Sequence, residues 1–200
     1  MVRKHQSGVY TNPLAGSAKR QVDPQDDLAI SQTLLDSAKD QYEHRLVIDE
    51  IRRLLAPHCR TLNIPSQPSL INTAALWHLS SAISGELENP DMPVLELANL
   101  LHPTPALCGL PTQKARQLIN QLEPFDRGLF SGIVGWCDEQ GNGEWAVIIR
   151  CATVHPTQVR LFAGAGIVAA SQPALEWAET EAKLGTMLNA LAIRPSGEQP

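Results

Sequence analysis

Glu176, Glu179 and Lys183 stand at i, i+3 and i+7 near the end of this sequence of 200 residues. On a helix that spacing puts two carboxylates and an ammonium on one face. One reading is a solvated face carrying a Glu179–Lys183 ion pair. The other is a carboxylate pair that holds a hard cation, with the lysine ready for an anion. Magnesium suits the second reading, because it takes few protein carboxylates and completes its shell with substrate oxygens and water. A further acid of interest is Glu43, four residues before Val47 on the stripe Val47, Ile51 and Leu54. A carboxylate on an apolar stripe is costly to bury without a partner. It either reaches water from the end of the stripe or meets a cation.

Anion-binding chemistry has its own candidates. Val159–Ile167 reads VRLFAGAGI, and small residues such as Gly164 and Gly166 let backbone N–H groups approach an oxyanion closely; a β-bulge accounts for them equally well. Arg150 ends the apolar run Ala146-Val-Ile-Ile, so it points to solvent or pairs with a buried acid or a ligand carboxylate. His78 and His102 are each read first as hydrogen-bonded structural histidines. Trp77 and Trp177 are read as core.

The composition narrows the class. A formal net charge of −5 argues against a nucleic-acid partner, and a 43% hydrophobic fraction against disorder. Cys59, Cys108, Cys137 and Cys151 are scattered without a CxxC pair, which predicts reduced thiols, no zinc site and a cytoplasmic protein. No segment approaches the ~18 apolar residues of a membrane span. The N-terminus reads as neither a signal peptide nor a natural domain start, with no leading element. Residues 1–193 read as one domain and 194–200 as a flexible tail.

These groups need elements to position them. A helix is expected over 28–56, broken near Ser37 and closed by Pro57. Short strands are expected at Leu70–Asn72 and Leu76–Leu79, at a sheet edge or end, and short helices at Leu95–Leu101 and Pro111–Leu122. Gly132–Trp136 and Glu144–Cys151 flank the turn Asp138–Gly143 as a hairpin, with a third strand at Gln158–Ala163. A last helix runs from Pro173 to Leu191, Pro at its start. This order predicts an α+β (α/β layered) fold, an antiparallel sheet with packed helices. The residues alone thus lead to a soluble α/β domain with a candidate anion and magnesium site.

Eight stretches, in order along nearly the whole chain, resemble the chorismate-utilising enzymes. They are Asn12–Arg20, Lys39–His44, Leu76–Leu79, His102–Leu107, Gly132–Trp136, Ile149-Arg150, Gly164–Gly166 and Glu176–Thr180 with Lys183. HPTPAL at 102–107, GNGEW at 141–145 and LFAGAGIV at 161–168 are similar to the isochorismate synthases of catecholate siderophore pathways. Amine-transferring relatives carry a glycine- and serine-richer stretch where Thr104–Leu107 stands.

The resemblance implies that chorismate is the substrate and Mg2+ the cofactor, with Glu43 and Glu179 as ligands and Glu176 nearby, the metal gripping the ring carboxylate. It assigns Arg150 and the backbone amides around Gly164 and Gly166 to carboxylate binding, and puts Gly16, Ser17, His78 and Lys183 beside the substrate. Ala106, Leu107, Phe130, Ile149 and Phe162 become the apolar wall. The fold implied is the C-terminal half of the family's catalytic domain. The family's general base, a lysine of the N-terminal half, and its general acid, a glutamate just upstream of the Asn12–Arg20 motif, have no match here. The expected activity is isomerisation of chorismate to isochorismate, with a missing N-terminal half as partner. The alternatives are a fragment that at most binds magnesium and chorismate, and a salicylate synthase-like enzyme.

Overall fold

The computed structural model describes residues 1–193; the tail expected at 194–200 lies outside them. The chain opens on a hairpin, β1 (Val2–His5) and β2 (Gly8–Thr11), where the sequence reading had no leading element. Only two residues, Gln6 and Ser7, join the strands, and Gln6 takes φ +54° in the turn. Val2 and Val9 turn inward, as the two-residue period of a half-buried strand requires. Next comes β3 (Leu14–Lys19).

The helix expected over 28–56 is two helices that break at Ser37. In α1 (Pro24–Asp36), the Asp23 side chain accepts from the Gln25 and Asp26 amides, and Pro24 occupies the first turn. Ser37 ends α1 and caps α2 (Ala38–Leu55), its side chain accepting from the Asp40 amide. The buried face of α2 carries Val47, Ile48, Ile51 and Leu55, with Leu54 only packed against it, and runs on through Glu43 and His44.

Beyond α2 lie β4 (Cys59–Asn63), β5 (Ser69–Asn72), β6 (Leu76–Ser80), β7 (Ile83–Leu87), α3 (Val94–Leu101), the single turn α4 (Pro105–Cys108) and α5 (Thr112–Leu122). They are followed by β8 (Ile133–Cys137), β9 (Gly143–Val147), β10 (Cys151–Val154), β11 (Val159–Phe162) and α6 (Pro173–Ala190). A six-stranded sheet has the order β4-β7-β2-β1-β9-β8, and β3-β6-β5 and β10-β11 form two smaller ones. Every pairing is antiparallel. The α+β expectation with packed helices therefore holds.

Several expectations are corrected. The strand predicted over Glu144–Cys151 stops at Val147; Arg150 stands outside it at φ +51°, and Cys151 begins a separate strand. The third strand, expected over Gln158–Ala163, spans Val159–Phe162 and pairs with β10. Within its sheet β6 is central, and β5 is the edge. Trp177 is 67% exposed, so it is not core; Trp77 is half-buried, and its indole N–H donates to Asp27 Oδ1 at 3.0 Å. All four cysteines are free thiols, and only Cys108 is buried. Among the described residues no helix is long and apolar enough to cross a membrane.

The core lies where α2 and α3 cover the large sheet, joining Val2, Val9, Ile83 and Leu87 to Val47, Ile51, Leu55, Val94 and Leu97. Fully burying one such side chain contributes about 1.5–3 kcal/mol, so this face anchors α2. Asp27 adds a polar tie between elements. It accepts from Arg20 Nη2 at 2.7 Å, the Gln21 amide at 2.8 Å and Trp77, and the Arg20 bond foremost holds its carboxyl down at about 2.

The opposite end of the sheet is open. Edge strand β8 exposes Val134 and Trp136, and Leu129, Ile167 and Trp177 are also largely exposed. An apolar, unpaired edge invites pairing with another chain. Sedimentation velocity is expected to find the chain associating beyond its 21.8 kDa monomer. A monodisperse monomer that unfolds cooperatively would contradict this.

Candidate active site

The charged cluster is built from three elements. From α2 come Lys39, Asp40 and Glu43, from α6 Glu176, Glu179 and Lys183, and from β3 Ser17. Glu43 is 9% exposed and Glu176 7%. Lys39 lies 3.0 Å from Glu176 Oε1 and 3.6 Å from Glu43 Oε2, tying α2 to α6. Glu179 Oε1 accepts from Ser17 Oγ at 2.8 Å and pairs with Lys183 Nζ at 2.7 Å. Lys183 also donates to the Gly164 carbonyl at 3.0 Å, which fastens the 163–166 loop to α6.

This local compensation is incomplete. Among the described residues Glu43 Oε2 and Glu176 Oε2 are both buried without a hydrogen-bond partner. Burial is the main cause that pushes the Glu43 carboxyl up to about 7; Glu179 and Asp40 add to it, and Lys39 and Lys183 oppose it. Burial also works to raise Glu179, but Lys183, Ser17 and Lys39 hold it below the usual range. For Lys39, burial is outweighed by the Glu176 bond and the nearby carboxylates, and its pKa is raised.

Two glycines are required by this geometry. Gly16 takes φ +82°, where β3 shifts register against β6, and a Cβ there would meet Asp40 Cβ at 3.1 Å. A Cβ on Gly166 would fall 2.3 Å from Glu43 Oε1 and 2.7 Å from its Cδ, so the 163–166 loop lies directly on the carboxylate.

A cavity of about 510 Å³ opens beside the cluster. Gly16, Ser17, Glu43, His78, Arg150, Gly164, Gly166 and Lys183 line its polar side, and Ala106, Leu107, Phe130 and Ile149 its apolar side. Of the residues singled out in the sequence, three stand behind this lining. Phe162 stacks on Phe130, with ring centroids 5.4 Å apart, and Glu176 and Glu179 act through Lys39, Ser17 and Lys183. Burial lowers the pKa of Arg150 against the pull of Glu179, and no ion pair within 4 Å involves Arg150 among the described residues. Burial, then Arg150 and Lys183, push His78 down to about 4, so its ring is neutral at pH 7. His102 is outside the lining; its Nε2 and the carbonyl of Ser131, which does line the cavity, are 2.8 Å apart.

The sequence reading gave no role to Lys39, Glu123, Phe125 or Arg127. Lys39 carried a signal, its i, i+4 spacing to Glu43. Phe125 packs on Phe162 at 6.1 Å between centroids, a contact across the chain with no local mark.

An antiparallel α+β layer thus carries a cavity that Glu43, a desolvated arginine and a glycine-lined loop border, with further carboxylates behind it. The chain belongs to the chorismate-binding enzymes, whose family model matches residues 1–192. It is 53% identical to isochorismate synthase DhbC of Bacillus subtilis over 96% of its own length and 48% of that protein's. Against isochorismate synthase EntC of Escherichia coli strain K12 the identity is 52%, over 96% of this chain and 49% of the relative. The crystal structure of DhbC from Bacillus anthracis superposes with a TM-score of 0.94 at 50% identity, covering 96% of this chain and 52% of that one. The chain thus spans about half the length of the curated relatives it matches.

Two outcomes are expected of the cluster. Gly166→Ala should displace the Glu43 carboxylate and lower the melting temperature by about 2–4 °C. An unchanged melting temperature would mean that the loop does not seat the carboxylate. The Glu43 carboxyl, raised from 4.5 to about 7, keeps its proton longer in the folded chain than in the unfolded one. Metal-free stability should therefore fall as pH rises from about 4.5 to about 7, then level off. Thermal melts in EDTA across that window should show this slope, and Glu43→Gln should flatten it.

Proposed function

We propose that this chain carries the metal- and carboxylate-binding half of an isochorismate synthase, acting on chorismate in a cytoplasmic pathway to a catecholate siderophore. The observation that carries the reading is the orphaned, buried oxygen of Glu43 on a cavity that Arg150, without an ion pair among the described residues, also lines; Glu176 and Glu179 stand behind it. Such oxygens ask for a cation, and a desolvated guanidinium asks for a carboxylate. Chorismate is a dianion, so a net-acidic protein needs local positive charge to hold it.

The residues fit magnesium. Magnesium takes few protein carboxylates and leaves much of its shell to water and substrate, and the orphaned oxygen of Glu43 lies on the cavity with Glu179 behind it. Glu43 and Glu179 would hold it, and Glu176, turned onto Lys39, would act from behind. Bound there, Mg2+ supplies positive charge to a ring carboxylate. Arg150 and the amides around Gly164 and Gly166 would take a carboxylate as well, with Lys183 keeping that loop in place. Neutral His78 and Ser17 border the ring, while Ala106, Leu107, Phe130, Ile149 and Phe162 shut water out along the other wall.

Moving a hydroxyl around the ring requires one group to deprotonate the attacking water and another to protonate the leaving hydroxyl. In the resemblance both belong to sequence outside this chain's matching positions, so the N-terminal half is the proposed partner. The siderophore assignment follows the likeness to DhbC; the Bacillus anthracis protein is described as specific for 2,3-dihydroxybenzoate.

Calorimetry with chorismate is the test. Binding is expected only when Mg2+ is present, with little isochorismate formed by the chain alone. Rapid turnover by the purified chain would overturn the division of labour, and salicylate with pyruvate as products would replace the isochorismate synthase reading. The absence of chorismate binding with saturating Mg2+ would leave only ancestry.

A further inference from the structure

The apolar side of the cavity is carried by segments with little regular structure. Leu107 sits on α4, one turn long, and Phe130 in the irregular stretch between α5 and β8. Sheet or long-helix hydrogen bonding does not set the distance between them. One side chain bridges both. Arg127 Nη1 donates to the Leu107 carbonyl at 3.0 Å and to Ser131 Oγ at 3.1 Å. Its Nε and Nη2 meet Glu123 Oε2 and Oε1 at 2.8 and 2.5 Å, a bidentate pair at i, i+4 from the end of α5. The guanidinium carbon lies 5.7 Å from the centroid of the Phe130 ring. Glu123, Arg127, Leu107 and Phe130 all border the cavity.

We propose that Arg127, held by Glu123, is a positioning residue that sets the spacing between Leu107 and the Phe130–Phe162 stack, and so the fit of the ligand's ring. This rests on the reading of the cavity as the chorismate site. Arginine suits the task because its planar fork meets a carboxylate with one edge and a carbonyl with the other. A lysine keeps the charge but cannot hold both, so the geometry, and not the charge, is what the position demands. The Arg127–Glu123 pair is only about one-quarter exposed on each side, so the wall is where its geometry is read.

Two readouts test this on the full chain. Cys108, next to Leu107 and buried, reports on the wall, and half-buried Cys59 on β4 serves as internal reference. In Arg127→Ala, iodoacetamide is expected to label Cys108 about tenfold faster or more, with Cys59 unchanged, because a charge-assisted bond to the Leu107 carbonyl is lost. Chorismate affinity with saturating Mg2+ should weaken by a similar factor, and Arg127→Lys should share that loss. Millimolar guanidinium, but not ammonium, should restore part of the affinity of Arg127→Ala. Unchanged Cys108 labelling, or faster labelling with unchanged chorismate affinity, overturns the proposal. If both cysteines become reactive, Glu123→Gln, which weakens the anchor and leaves Arg127 in place, carries the same readouts to the same decision. A wild-type chain that binds no chorismate refutes the functional reading, while the labelling arm still decides whether Arg127 holds the wall.

Discussion

The buried carboxylate of Glu43 is the constraint around which the site is organised. It extends the apolar face of α2 and therefore cannot leave without unseating that helix from the large sheet. Ionising it there is unfavourable unless positive charge comes to it. The chain supplies some, from Lys39 and Lys183, and stops short of full compensation: one oxygen stays without a partner and the carboxyl is raised to about 7. What remains is an incompletely compensated carboxyl group beside a cavity.

Helix α6 depends on the same charges. It runs for 18 residues, and its one buried residue is Glu176. Apolar burial is thus a minor part of its attachment within this chain. The Lys39–Glu176 pair, the Ser17–Glu179 bond and the reach of Lys183 to Gly164 connect it to α2, β3 and the 163–166 loop. The electrostatic network that would receive a ligand is also the network that holds one wall of the site. Binding and local order at this wall are therefore coupled.

Much of the element plan was legible in the sequence because its signals are local. The break at Ser37, the helix at Leu95–Leu101 and the start of the last helix at Pro173 each follow from a cap, a period or a proline within a few residues. The hairpin at the N-terminus was missed because a four-residue strand with a buried lysine, VRKH, lacks apolar alternation. The strand thought to run to Cys151 was read from its apolar content, and nothing in AVIIRC marks the positive φ of Arg150. Residue type alone puts Trp177 in the core, while its place on α6 leaves it facing out.

By itself the sequence determined the longer helices and five of the eleven strands, the α+β class, the shared face of Glu176, Glu179 and Lys183, and the family likeness. These depend on periodicity and residue identity, which act over a few positions. Only the tertiary structure decided that Ser17 meets Glu179 across 162 positions, that Gly166 lies against Glu43, that Arg127 joins Leu107 to Phe130, and that Arg150 makes no ion pair within 4 Å among the described residues. The reason is physical: the energy of a charge depends on its burial and on which opposite charges reach it, and packing sets both between segments far apart in the chain.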